Sequence, residues 1–391
     1  MTRARTYDEI KPLVELCKAG RLFDVKKWID AKKPVNPPEG PYKGNRRKFP
    51  LEMSIERGFH SLVQILLEGG ASTKEYYYSA LEHALDKRRL DIVQLLVEHG
   101  ADIHSVNMTR VFDTWDPEIM EYCIGKGADV ETDYPLAWAF IGRIRTALGI
   151  YKRYKNRFKT FQEQANMALR YHCKDGNLKW VSLMLWAGAD PYSKGPCTPD
   201  EEPYPEEDMN ALEWAALYDH PEVFALNNIR LNPDHKSADD ILESACHTSN
   251  FDLLKELLKK GFDPNNQENG GSSMIQILLL GMSSWSCSVS SWSFDRKDRD
   301  IDSSKSRDKM KMIHLLAKYG AKWRPNDRKQ ISDVRRSLLK MTPDYTTEFI
   351  WIMSGFKACS REDIEELMRT PSIRKLTLKH ERRINELIKS F

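Results

Sequence analysis

The sequence has no run of 18 uncharged apolar residues, which argues against a membrane-spanning helix. Its first ten residues lack the apolar stretch that a secretory leader needs, so none is expected. Cysteine is sparse and unpatterned. Cys17, Cys123, Cys173, Cys197, Cys246, Cys287 and Cys359 are odd in number and form no CxxC pair, so no disulfide framework is expected. Together these absences point to a reduced intracellular setting, the cytoplasm. An excess of one charge is missing too. Sixty Lys and Arg stand against 57 Asp and Glu, and a net charge of +3 creates no global attraction to nucleic acid or membrane.

Signatures of chemistry are also missing. There is no GxGxxG after a strand, no phosphate-binding loop ending in Gly-Lys, no HExxH and no GxSxG. Gly270-Gly271-Ser272-Ser273 lacks the lysine and spacing of a phosphate loop and reads as a turn. The pairs His172-Cys173 and Cys246-His247 invite a metal reading. Neighbours at i and i+1 face different ways on a helix, so neither pair chelates well, and a core or groove-lining role is expected. Glu201-Glu202 and Glu365-Glu366 stand in charge-rich stretches, without the desolvated setting that splits two carboxyl pKa values. The chain is therefore expected to be no enzyme and to carry neither metal nor cofactor.

What is present is a ruler. Leu51, Val63 and Gly70 are followed by Leu81, Val93 and Gly100, then by Leu169, Val181 and Gly188, and by Leu242, Leu254 and Gly261. Each trio is spaced by 12 and then 7 residues. In residues 79–102, Leu81, Ala84 and Leu85 share one face of a short helix, and Ile92, Val93, Leu95 and Leu96 share a face of a second. Gly100 suits the left-handed position that ends it. Helices this short are unstable alone, so pairs must stack to bury a common core.

The residues that close the units carry a family resemblance. Gly70-Ala71-Ser72, Gly100-Ala101-Asp102, Gly127-Ala128-Asp129, Gly188-Ala189-Asp190-Pro191, Gly261-Phe262-Asp263-Pro264 and Gly320-Ala321-Lys322 resemble the turn of the ankyrin-repeat family. The family's Thr-Pro-Leu-His-x-Ala-Ala motif is only echoed, in Pro50-Leu51-Glu52, Pro135-Leu136-Ala137 and Ala211-Leu212-Glu213-Trp214-Ala215-Ala216, and its His is lost. The resemblance implies an all-α helix-turn-helix solenoid of about nine to ten repeats. They are placed near 10–35, 49–72, 79–102, 108–130, 134–160, 165–191, 210–232, 238–263 and 273–323. It also implies a non-enzymatic protein-binding adaptor, scaffold or inhibitory subunit, with partners held on turn tips and the concave first-helix face.

The array is expected to fill residues 1–323, with insertions at 143–165, 192–209 and 283–309. Residues 324–391 are expected to form an α-helical cap, opened in part by a capping box at Ser360–Asp363. Aromatic tip and groove positions are the candidate contacts: Tyr76, Tyr77, Tyr78, Trp115, Tyr134, Trp138, Tyr192 and Trp214, joined by Trp285 and Trp292 in the third insertion. Three consecutive tyrosines cannot all point inward, which ranks 76–78 first. The alternative partner is nucleic acid. Arg143, Arg145, Lys152, Arg153, Lys155, Arg157 and Lys159 form a basic stretch without acids, spaced as a long helix with Tyr151, Tyr154 and Phe158 on a stripe. Arg46, Arg47 and Lys48 add a second basic tip. The acidic stretch 200–208 could instead fold against that helix.

Overall fold

Two kinds of turn alternate along a chain of short helices. A computed structural model describes residues 3–38, 48–74, 79–201, 208–265, 273–283, 303–325, 328–341 and 343–377. Met1–Ala168 with Cys197–Glu202 form one compact unit, and Leu169–Pro196 with Pro203–Phe391 form a second.

The first unit holds five helix pairs: α1 (Tyr7–Lys18) and α2 (Leu22–Asp30), α3 (Pro50–Arg57) and α4 (His60–Glu68), α5 (Ala80–Asp86) and α6 (Leu90–Glu98), α7 (Met108–Asp113) and α8 (Pro117–Gly125), α9 (Pro135–Ile141) and α10 (Ala147–Tyr154). First helices pack on first helices along α1, α3, α5, α7 and α9, and α2, α4 and α6 pack in the same order. α11 (Phe161–Lys174) carries the chain into the second unit, where α12 (Leu178–Ala187) follows. Next come α13 (Ala211–Leu217), then α14 (Ala238–His247) and α15 (Phe251–Lys259), α16 (Met274–Ser283) and α17 (Ser303–Lys318), α18 (Arg328–Lys340) and α19 (Pro343–Gly355). α13, α14, α16 and α18 stack in sequence, and so do α15, α17 and α19. α20 (Arg361–Met368) and α21 (Pro371–Thr377) end the described chain. The capping box at Ser360 and Asp363 opens α20. Among the described residues there is no strand, only two isolated bridges.

The ruler residues are the core. Leu51, Val63, Val93, Leu169, Val181, Leu242 and Leu254 are fully buried, and Leu81 nearly so. Gly70, Gly100, Gly188 and Gly261 take φ values of 85°, 87°, 105° and 96°. These are left-handed conformations that a side chain disfavours and that let the helix end on satisfied carbonyls.

A second left-handed residue recurs between the helices of eight pairs. It is Gly20, Gly58, Arg88, Trp115, Arg143, Gly176, Asp219 or Ser249, with φ between 52° and 71°. The residue that follows it lies over the preceding turn. Arg89 Nη1 donates to the Gly58 carbonyl at 2.9 Å, and Asn250 Nδ2 donates to Asp219 Oδ1 at 2.6 Å. His220 sits 2.5 Å from where a Cβ on Gly176 would stand, so that turn admits only glycine.

At the opposite end of the pairs a side-chain clip joins neighbouring turns. The clip stands four residues after the left-handed residue that closes a second helix. Asn36 donates to the Gly70 carbonyl at 2.8 Å and accepts from Ser72 N–H at 2.7 Å. Asn265 treats Gly320 and Lys322 in the same way, at 3.0 and 2.7 Å. Tyr192 Oη donates to the Arg230 carbonyl and accepts from Asn232 N–H. His104 Nδ1 meets the Gly127 carbonyl at 2.8 Å, and Glu131 accepts from Thr160 N–H. The buried amide of Gln164 adds another tie, accepting from Leu136 and Ala137 N–H and donating to the Val130 carbonyl. Inter-repeat bonding thus survives loss of the family's motif His. Asn36→Ala is expected to lower stability by about 1–2 kcal/mol, because the half-buried Gly70 carbonyl and Ser72 N–H lose their partner. The midpoint of urea unfolding measures this, and an unchanged midpoint would refute the clip.

Three expectations are corrected. Residues 143–159 do not form one long helix: α10 spans only Ala147–Tyr154 and packs on α8 and α9 as the second helix of its pair. Arg143 lies in the turn before α10, and Lys155, Arg157 and Lys159 follow its end. Residues 143–165 are therefore not an insertion throughout. The seventh pair has no second α-helix, only a 3-10 turn at Pro221–Ala225.

Candidate functional site

Tyr76, Tyr77, Tyr78, Trp285, Trp292, Arg46 and Arg47 lie outside the described residues, as do the middle of the acidic stretch and most of the 283–309 segment. The other aromatic candidates divide by position. Trp115 is 45% exposed, but it is the left-handed residue of the α7–α8 turn. That turn lies at the end of the pair away from the tips, which corrects its assignment as a tip residue. Tyr134 precedes Pro135 at the start of α9 and is half-buried, with φ 50°. Tyr192 is at a tip, but its hydroxyl is engaged in the clip. Its ring packs on His235 with centroids 4.2 Å apart, so its contacts are those of a structural residue.

Trp138 and Trp214 occupy equivalent first-helix positions, two residues after Leu136 and Leu212, and both are half-buried. Around Trp214 the second unit builds a mixed platform. Tyr218, one helical turn on and 47% exposed, lies 5.6 Å from Trp214 between centroids. The Lys174 ammonium stands 4.3 Å from the Trp214 ring and 5.4 Å from Tyr218. Cation and rings hold each other by the ring quadrupole, which presents two aromatic faces at a fixed tilt.

Beside this platform lies a charge cluster that sequence spacing did not reveal. Glu213, on the same helix, is buried. It accepts from Asn210 Nδ2 at 2.5 Å and lies 3.7 Å from Lys194 Nζ. Lys194 also bonds Asp240 at 2.7 Å. Burial, aided by Asp240 and opposed by Lys194, pushes the Glu213 carboxyl up to about 7. The loop that brings Lys194 is anchored by Arg170, whose fully buried guanidinium donates to the carbonyls of Pro196 and Ser193 at 2.8 and 3.1 Å.

Half of the described basic candidates are turned to internal work. Arg153 pairs with Glu121, and Lys48 with Glu56. Arg157 lies over Phe158 and Tyr154, and Lys155 over Tyr151. Arg143, Arg145, Lys152 and Lys159 are exposed. Lys48 and α10 belong to different helix pairs, with two pairs between them, so the two basic stretches are not neighbours.

His172, Cys173 and Cys246 are buried, and His247 is exposed beside Glu243. Burial raises the thiols of Cys17 and Cys123 to about 11 and 12, far from the range of a reactive thiolate. Among the described residues no group of three or more His, Cys, Asp or Glu is placed to hold a metal ion, and no helix is long and apolar enough to cross a membrane.

Residues 13–107 match the family of ankyrin repeats, in three copies. No curated protein matches the chain. Ankyrin repeats generally mediate protein–protein interaction and are typically non-enzymatic. Residues 13–107 are thus similar to ankyrin repeats, and the same succession of stacked helix pairs continues through the helices that follow.

Proposed function

We propose that the chain is a non-enzymatic adaptor or scaffold of the cytoplasm that holds a protein partner on its first-helix face. Trp214 and Tyr218 are the anchor. One observation carries this reading: two rings fixed by one ammonium stand partly open on a first helix. Trp and Tyr dominate binding hot spots because they bury large area at little entropic cost. Trp138, at the equivalent position of its pair, supplies a second contact of the same kind. Residues 1–323 act as the array in this reading, and 324–391 close it.

Tyr218→Glu tests the anchor. The side chain is exposed, so the fold tolerates the change, and partner affinity is expected to fall about tenfold or more. Quantitative affinity capture with the full chain and the variant measures this. If the variant keeps every partner at wild-type occupancy, the anchor lies elsewhere. The nucleic-acid reading is less well supported, because Arg153 and Arg157 are engaged with Glu121 and with their own rings. Salt-dependent retention on a polynucleotide that Arg153→Glu with Arg157→Glu abolishes would reverse that ranking.

A further inference from the structure

Three successive first helices of the first unit end in a cation. Lys18 closes α1, Arg57 closes α3, and Lys87 follows the last residue of α5. A cation suits a helix C-terminus, where carbonyl oxygens point outward. That accounts for each residue singly and leaves their convergence unexplained. All three line one cavity of about 390 Å3, together with Lys48, Glu56 and Met53. Lys48 lies two residues before α3, so no helix end accounts for its presence. Met53 is buried.

Among the described residues the lining therefore sets four cations against one carboxylate, a net charge of +3. Glu56 shows what such a lining selects. It accepts from Lys48 Nζ at 2.5 Å, and that bond, with the nearby charges of Lys87 and Arg57, holds its carboxyl below the usual range. Lys18 also meets Glu15 at 3.8 Å, but that pair is exposed and weak. Among the described residues, one lining carboxylate offsets only one of the four cations.

We infer that this cavity binds the phosphate monoester of a phosphorylated side chain on a partner protein. Such a group carries close to two negative charges near neutral pH and three acceptor oxygens. Arg57 offers a planar fork of donors, and the lysines offer point charges around it. The cavity is larger than a lone phosphate requires, which leaves room for the side chain that carries it. A nucleic-acid strand fits less well. It needs cations along a track, whereas these are gathered in one hollow that also contains a carboxylate. The inference rests on the protein-binding reading, and its test uses the amino acid alone, so the two fail separately.

Isothermal titration of the full chain at low ionic strength, with phosphoserine, serine, inorganic phosphate and a short oligothymidylate, decides it. Phosphoserine is expected to bind saturably at one site, and serine not at all. Arg57→Gln with Lys87→Gln, both exposed positions, should weaken phosphoserine about tenfold or more without altering the circular dichroism spectrum. Glu56→Gln should tighten it severalfold, because Lys48 is released from its internal partner. Absence of saturable binding, or affinity unchanged in the double variant, overturns the proposal. Inorganic phosphate binding as tightly as phosphoserine overturns the assignment to a side chain. An oligothymidylate that binds tighter than phosphoserine and is lost in the same variant overturns it in favour of nucleic acid.

Discussion

Arg170→Ala is expected to destabilise the second unit by about 3–5 kcal/mol, from the lost hydrogen bonds of a charged donor and the cavity left behind. The guanidinium is fully buried and donates to Pro196 O, Ser193 O and Ser193 Oγ. Alanine would remove these donors from half-buried acceptors and leave a cavity the size of the side chain. The loop that carries Tyr192 and Lys194 would lose its fixed end. Arg170→Lys should recover only a minor share, because an ammonium cannot reproduce the spread of the fork. Urea unfolding followed by circular dichroism measures both variants. A loss below about 1 kcal/mol for alanine would show that the buried fork contributes little to the unit.

Glu213→Gln is expected to act in the opposite direction and to depend on pH. The folded carboxyl titrates near 7, against an ordinary 4.5. The folded state therefore binds its proton more tightly than the unfolded state. The stabilisation from this group is complete below pH 4.5 and is lost as pH rises through 7. A displacement of that size corresponds to about 3 kcal/mol. Glutamine keeps the acceptor for Asn210 Nδ2 and carries no charge to desolvate. At pH 8 the variant should be more stable than the parent by up to about 3 kcal/mol, and at pH 5 the gap should shrink to about 1 kcal/mol or less. Unfolding midpoints across pH 5–8 report the difference. A parent midpoint that rises over that interval relative to the variant would refute the raised carboxyl.

Much of the fold was legible because the ruler has a direct physical cause. Leu51 and Val63 recur as Leu81 and Val93 since every stacked pair needs the same two buried contacts. The closing glycines recur since every second helix ends through a left-handed residue. The Ser360–Asp363 box was legible for the same reason, as both halves of the bond lie within one turn. The clips escaped notice because Asn36, His104, Glu131, Tyr192 and Asn265 share a position and not a letter. What the position requires is reach to the backbone of the next turn, which four chemistries supply. The cluster of Glu213 with Lys194 and Asp240 depends on three separate segments, and so does the cavity of Lys18, Arg57 and Lys87. Local spacing carries no trace of either. Trp115 misled for a related reason. Exposure was foreseen, but the sequence does not show at which end of its helix pair it stands.

The left-handed turns between paired helices have an evolutionary consequence. Arg88, Trp115, Arg143, Asp219 and Ser249 hold side chains in a conformation that glycine adopts freely. Each such residue costs roughly 1 kcal/mol relative to glycine. Their combined penalty is comparable to the whole net stability of an ordinary domain. A descendant lineage under selection for heat tolerance could therefore gain by substitution at these turns, without repacking any core. Retention of arginine or tryptophan there forgoes that thermal margin.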